Sequence, residues 1–170
     1  MKKRIIALGL LWCLSAVMLQ AARVDTVLVR SAAMNKDVKV VYVLPDKAIG
    51  KQACPVVYLL HGYGGNARSW VQLKPELPQM ADEKGIIFVC PDGKNSWYWD
   101  SPENPAYRYE TFVTSELVKY TDGNYATIPD SKARAISGLS MGGHGALWSA
   151  IRHKDVFGAA GSMSGGVDIR

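Results

Sequence analysis

The stretch Ala133-Arg134-Ala135-Ile136-Ser137-Gly138-Leu139-Ser140-Met141-Gly142-Gly143-His144-Gly145-Ala146-Leu147 decides the fold. Its first five residues read as a short strand, and from Met141 to about Lys154 the Ala, Leu and Trp content reads as a helix. Between them Gly138-Leu139-Ser140-Met141-Gly142 fits the pattern G-x-S-x-G, a tight strand-to-helix turn that lifts a serine clear of a sheet. Such a turn strains the serine backbone. Glycines two before and two after it remove side chains that would collide with the adjoining strand and helix. The Met141 N–H, at the start of the helix, is then aimed at an oxyanion forming beside Ser140, with the helix dipole behind it. A merely structural Gly/Ser turn is the plain alternative, and the strand and helix on either side weigh against it.

Upstream, Val56-Val57-Tyr58-Leu59-Leu60 is a continuous apolar run of the kind a strand buried on both faces of a parallel sheet requires. It stops at a second glycine-rich turn, His61-Gly62-Tyr63-Gly64-Gly65, in the place of the loop that donates the other oxyanion N–H in this arrangement. By position Tyr63 is that donor, with Gly62 as the alternative, and His61 is expected to brace the loop through a hydrogen bond. Ile86–Val89 is another apolar strand, closed by Pro91-Asp92-Gly93. Val24–Arg30 and Val38–Leu44 alternate as a hairpin with one solvated face, separated by Asn35-Lys36-Asp37. A helical segment near Trp70–Glu83 is expected to be broken by Pro75 and Pro78. Residues 94–109 read as a long surface loop, Thr111–Tyr120 as a helix and Phe157–Met163 as a sixth strand. An antiparallel start followed by alternating strands and helices predicts an α/β domain with a mostly parallel sheet. Ligands bind beyond the carboxyl ends of such strands, where both glycine-rich turns fall.

The composition sets outer limits. With 170 residues, 48% hydrophobic and 21% charged, the chain can bury one sizeable core and is neither disordered nor collagen-like. The net charge is +5, but Lys2, Lys3 and Arg4 carry three of those charges, leaving +2 for the rest. No basic stripe remains to grip phosphates, so nucleic acid is not an expected partner. The same basic start precedes a 15-residue uncharged run, Ile5 to Leu19, and then Ala21 and Ala22. Residues 1–22 therefore read as a secretory signal peptide, cleaved near Ala21 or Ala22. The run is short of the about 20 apolar residues that span a bilayer, so no stable membrane anchor is expected. The chain is expected outside the cytoplasm, periplasmic or secreted, with residues 23–170 as its domain.

Taken together, His61-Gly62-Tyr63-Gly64-Gly65-Asn66 and Gly138-Leu139-Ser140-Met141-Gly142-Gly143-His144-Gly145-Ala146-Leu147 resemble the putative-esterase family of α/β-hydrolases. That family includes feruloyl and acetyl-xylan esterases, tributyrin esterase, S-formylglutathione hydrolase and mycolyltransferases. Pro91-Asp92-Gly93, Asn95-Ser96-Trp97-Tyr98 and Tyr109-Glu110-Thr111-Phe112 resemble its tributyrin-esterase-like members. The resemblance implies an α/β-hydrolase fold and hydrolysis of small-molecule or carbohydrate-linked esters through an acyl-serine. The histidines and cysteines show no metal-ligand spacing, and no cofactor or metal is expected. The resemblance carries over Ser140 as nucleophile and Tyr63 and Met141 as oxyanion donors. It also places the triad acid after the next strand and the histidine after the strand beyond, both past Arg170. Within this chain Asp168, just past the sixth strand, is the only acidic residue that could serve as the orienting acid. Six strands stand where the family has about eight. This chain is thus expected to be the N-terminal portion of a longer esterase, weakly active or inactive alone, with a naturally shortened chain as the alternative.

The remaining histidines are not expected to serve as base. His144 lies one turn along the serine's own helix, and His153 is about 20 Å away at about 1.5 Å per residue. Trp97 and Trp99 follow a strand's carboxyl end, where they either face a sugar or phenolic group or pin the loop to the core. Glu110, Glu116 and Lys119 are expected on a solvated helix face. Cys54 and Cys90 fall at opposite strand ends, about 15–20 Å apart at about 3.3 Å per residue. A disulfide needs Cα atoms within about 7 Å, so both are expected free and buried. An acyltransferase with the same nucleophile and a catalytically dead carbohydrate-binding domain are the competing functions.

Overall fold

The computed structural model describes residues 22–168. All of the signal-peptide reading except Ala22 lies outside these residues. Strands β1 (Arg23–Ser31) and β2 (Lys36–Leu44) form an antiparallel hairpin whose turn is closed by Asn35, at φ 51°. After a one-turn helix α1 (Asp46–Ile49) come β3 (Val56–Leu60), α2 (Ser69–Leu73), α3 (Leu77–Lys84) and β4 (Ile87–Pro91). The gap between α2 and α3 holds Pro75, and Pro78 sits in the first turn of α3, where its missing N–H costs nothing. A long loop leads to α4 (Tyr109–Thr111), a π-helical turn (Phe112–Glu116) and α5 (Leu117–Asn124). The chain then forms β5 (Arg134–Leu139), α6 (Met141–Arg152) and β6 (Ala159–Met163).

The six strands make one sheet in the order β1-β2-β4-β3-β5-β6. The four from β4 to β6 are parallel, and β2 joins β4 antiparallel. The expected fold class is what is observed. The continuous apolar runs follow from a sheet covered on both faces. Val40, Tyr42, Tyr58, Leu60, Ile87 and Val89 point into one core with Phe112, Leu117 and Met141. Val41, Val43, Leu59, Phe88 and Cys90 point into a second with Trp70, Leu77 and Ala81. β2 is therefore more deeply buried than a hairpin with one wet face would be, while β1 keeps its alternation. Within the described residues β6 pairs on one side only and is exposed along most of its length.

Cys54 and Cys90 are free and buried, and burial pushes the Cys90 thiol up to about 12. Among the described residues no helix is long and apolar enough to cross a membrane, and no group of three or more His, Cys, Asp or Glu residues is placed to hold a metal ion.

Candidate active site

Three neighbouring parallel strands in the middle of the sheet, β4, β3 and β5, share one carboxyl end, and their exit loops carry the candidate residues. Ser140 joins β5 to α6 at φ 53° and ψ −115°, a conformation that a residue with a Cβ adopts only under strain. Its N–H donates to the Met163 carbonyl at 2.8 Å, and its carbonyl accepts from the His144 N–H at 3.0 Å. The side chain is exposed. The tightness of the bend is set by backbone approach. A Cβ on Gly138 would lie 2.2 Å from the Gly142 oxygen, and one on Gly142 would lie 2.2 Å from the Leu60 oxygen. Met141 is fully buried and opens α6, so its N–H belongs to the first turn, which has no intrahelical acceptor.

The loop after β3 stands directly beside this bend. A Cβ on Gly62 would lie 3.4 Å from the Leu139 oxygen and 3.7 Å from Ser140 Cβ. Tyr63 points outward, 66% exposed, over an open hollow of about 450 Å³ lined by Gly62, Gly65, Ser69, Gln72, Leu73 and Leu139. The expected bracing by His61 is present. Its Nε2 accepts from the Gly93 N–H at 2.9 Å, which leaves the proton on Nδ1, and Nδ1 donates to the Gly62 carbonyl at 2.7 Å.

The other histidines are committed elsewhere. Trp99 Nε1 donates to His144 Nε2 at 2.7 Å, and His144 Nδ1 donates to the Gly166 carbonyl at 2.9 Å. Trp97 and Trp99 both set ring edges against His144, with centroids 5.5 and 5.3 Å away, and each stays half-exposed. Of the trio in that loop Tyr98 alone is fully buried, and its hydroxyl donates to the His61 carbonyl at 3.3 Å. His153 is bonded to Glu110 at 2.9 Å.

Glu110 and Glu116 correct the sequence reading. Glu110 is 8% exposed and accepts from Trp148 Nε1 at 2.8 Å and Arg152 Nε at 2.7 Å as well as from His153. Glu116 accepts from Ser31 Oγ at 2.5 Å and the Ala33 N–H at 2.8 Å, tying its helix to the β1–β2 turn. Glu110 is buried against α6 and Glu116 is half-buried against the hairpin, so neither simply occupies a solvated helix face; Lys119 is exposed as expected. No local signal announced this, since the donors to Glu110 lie 38 to 43 residues downstream.

Burial works to raise the Glu110 pKa, but hydrogen bonds from Arg152, Trp148 and His153 outweigh it and hold the carboxyl below its ordinary value. A carboxylate depressed in this way stabilises the fold above its unfolded pKa of about 4.3 and loses that contribution as pH falls through the folded value. Glu110→Gln is therefore expected to cost about 2 kcal/mol at neutral pH, the scale of hydrogen bonds to a charged group. Urea midpoints of the two proteins should converge as pH falls below about 4. A gap that stays constant down to pH 3 contradicts this account.

A mostly parallel sheet, with a strained serine between strand and helix and a glycine-rich loop beside it, defines an α/β-hydrolase-like protein. The chain belongs to the family described as "Putative esterase", whose model matches residues 31–170. It is 29% identical over 136 residues to an acetyl esterase of Caldicellulosiruptor saccharolyticus, covering 75% of this chain and 50% of that protein. It is 34% identical over 155 residues to the diacylglycerol acyltransferase/mycolyltransferase Ag85A of Mycobacterium gordonae, covering 85% of this chain and 43% of that one. The solved structure of a ferulic acid esterase superposes with a TM-score of 0.76 at 30% identity, over 88% of this chain and 62% of the other. The chain thus spans half or less of the length of these two curated relatives.

Proposed function

We propose that this chain carries the nucleophile and oxyanion hole of an exported serine carboxylesterase acting on small or carbohydrate-linked esters. Ser140 Oγ attacks the ester carbonyl, and the Tyr63 and Met141 N–H groups hold the oxygen that becomes negative. The alcohol leaves with a proton, and water then releases the acid from the acyl-serine. The triad acid and base are assigned to residues beyond Arg170. This fits the three histidines present, each hydrogen-bonded away from Ser140. The single observation that carries the reading is the exposed Ser140 at φ 53°, standing beside the Gly62–Tyr63 backbone. Trp97 and Trp99 are proposed to present their open faces to the substrate.

Export rests on the basic, then apolar, N-terminus. Cleavage is proposed near Ala21 or Ala22; Ala22 itself is buried, and its N–H donates to Asp82 Oδ2 at 2.6 Å.

A fluorophosphonate probe, which traps activated serines, is expected to label the full-length protein on the peptide containing Ser140. An intact protein that never labels there favours a binding domain instead. A second reading, acyl transfer to an alcohol, is favoured by the 34% identity to a protein named as an acyltransferase. Adding sugars or alcohols separates the two. Diversion of product from free acid to a new ester identifies the transferase.

A further inference from the structure

We propose that Asn95 is a positioning residue that, together with His61, sets the direction of the Tyr63 N–H. The inference rests on the reading of Tyr63 as an oxyanion donor. Little packing holds the Tyr63–Gly64 stretch of this loop. Tyr63 is largely exposed, and Gly64, at φ 77°, has no atom within 4 Å of where its Cβ would be. Its geometry is therefore set by hydrogen bonds, and those bonds fall on both peptides that meet at Tyr63.

The Gly62–Tyr63 peptide is held by its oxygen, which accepts from His61 Nδ1 at 2.7 Å and from the Gly65 N–H at 3.0 Å. In a planar trans peptide the C=O and N–H point in opposite directions, so fixing the Gly62 oxygen fixes the Tyr63 N–H. The following peptide is held at its other pole, where the Gly64 N–H donates to Asn95 Oδ1 at 2.8 Å. His61 and Asn95 are in turn fixed from one place, the loop after β4. Gly93 of that loop donates to His61 Nε2, and Tyr98 of the same loop donates to the His61 carbonyl. The loop itself is stiffened by the Lys94 N–H on Asp92 Oδ1 at 3.0 Å and the Tyr98 N–H on Ser96 Oγ at 3.0 Å. The β4 exit loop thus grips the oxyanion loop at the Gly64 amide, the His61 ring and the His61 carbonyl.

Removing one oxyanion donor outright costs about 10²- to 10³-fold in kcat, so loosening one is expected to cost about tenfold. In the full-length protein Asn95→Ala should lower kcat for p-nitrophenyl acetate about tenfold, with KM within about twofold. Tm should stay within about 2 °C, because the lost bond is exposed. The Gly64 amide should exchange with deuterium about tenfold faster, while amides of β3 and β5 are unchanged. An unchanged kcat, an unchanged Gly64 exchange rate, or a fall in kcat that tracks a fall in Tm each overturns the assignment. Ser140→Ala, run beside it, separates the two claims. Turnover surviving in Ser140→Ala defeats the esterase reading itself. Turnover lost there but intact in Asn95→Ala defeats only the positioning role.

Discussion

Exchanging Ser140 for alanine should remove ester turnover from the full-length protein, lowering kcat by about 10⁴- to 10⁶-fold. The size follows from what the substitution takes away. Without Oγ no acyl-enzyme forms, and the two amides can only polarise a carbonyl for attack by water, which leaves weak residual catalysis. The fold should hardly notice. Ser140 is exposed, and its structural bonds, to the Met163 carbonyl and from the His144 N–H, are made by the backbone. Alanine keeps both and carries the same Cβ into the same strained conformation. Stability should therefore move by about 0.5 kcal/mol or less. Measuring kcat and the urea midpoint together checks both halves. Turnover within tenfold of the parent rejects the nucleophile assignment, whereas a lost fold leaves the bend itself misread.

What could be read beforehand was whatever the sequence encodes locally. Val56–Leu60 and Ile87–Pro91 announce themselves because both sheet faces are covered, so every position must be apolar. Pro75 marks the break between α2 and α3 because proline lacks the N–H a helix interior needs, whereas Pro78 is accommodated in the first turn of α3. The serine bend was legible because close backbone approach admits only glycine at Gly138 and Gly142. What escaped depends on partners far along the chain. Glu110 looks solvated by helical spacing, and only the packing of α6 brings Trp148, Arg152 and His153 to it. His144 lies beside the serine in sequence, yet Trp99, 45 residues upstream, takes its Nε2. Asn95 stands in a stretch that resembles the family, yet its acceptor role stayed hidden, because it exists only once β3 and β4 lie side by side.

The bend also yields the largest expected change in stability, from the smallest possible side chain. Gly142→Ala places a methyl 2.2 Å from the Leu60 oxygen and 2.7 Å from the His61 oxygen, both main-chain atoms of the central strand and its exit. Neither can swing aside as a side-chain tip would. Relief requires α6 to lift from β3 and β5, which exposes apolar contacts around the buried Met141 and Ala146. We expect a cost of about 3 kcal/mol, the upper range for overpacking. In a chain of this size that corresponds to a Tm lower by about 6–12 °C. Activity should fall further than stability alone explains, because lifting α6 displaces the Met141 N–H and the Ser140 hydroxyl together. Gly123→Ala is the matched control. It lies in the last turn of α5, and no atom outside the helix backbone comes within 4 Å of its Cβ position, so the new methyl meets no neighbouring element. Replacing a helical glycine there should stabilise by about 0.5–1 kcal/mol. Equal melting of Gly142→Ala and the parent would show that the sheet and helix are not held in contact at this point, and the strain that raises Ser140 would lose its source.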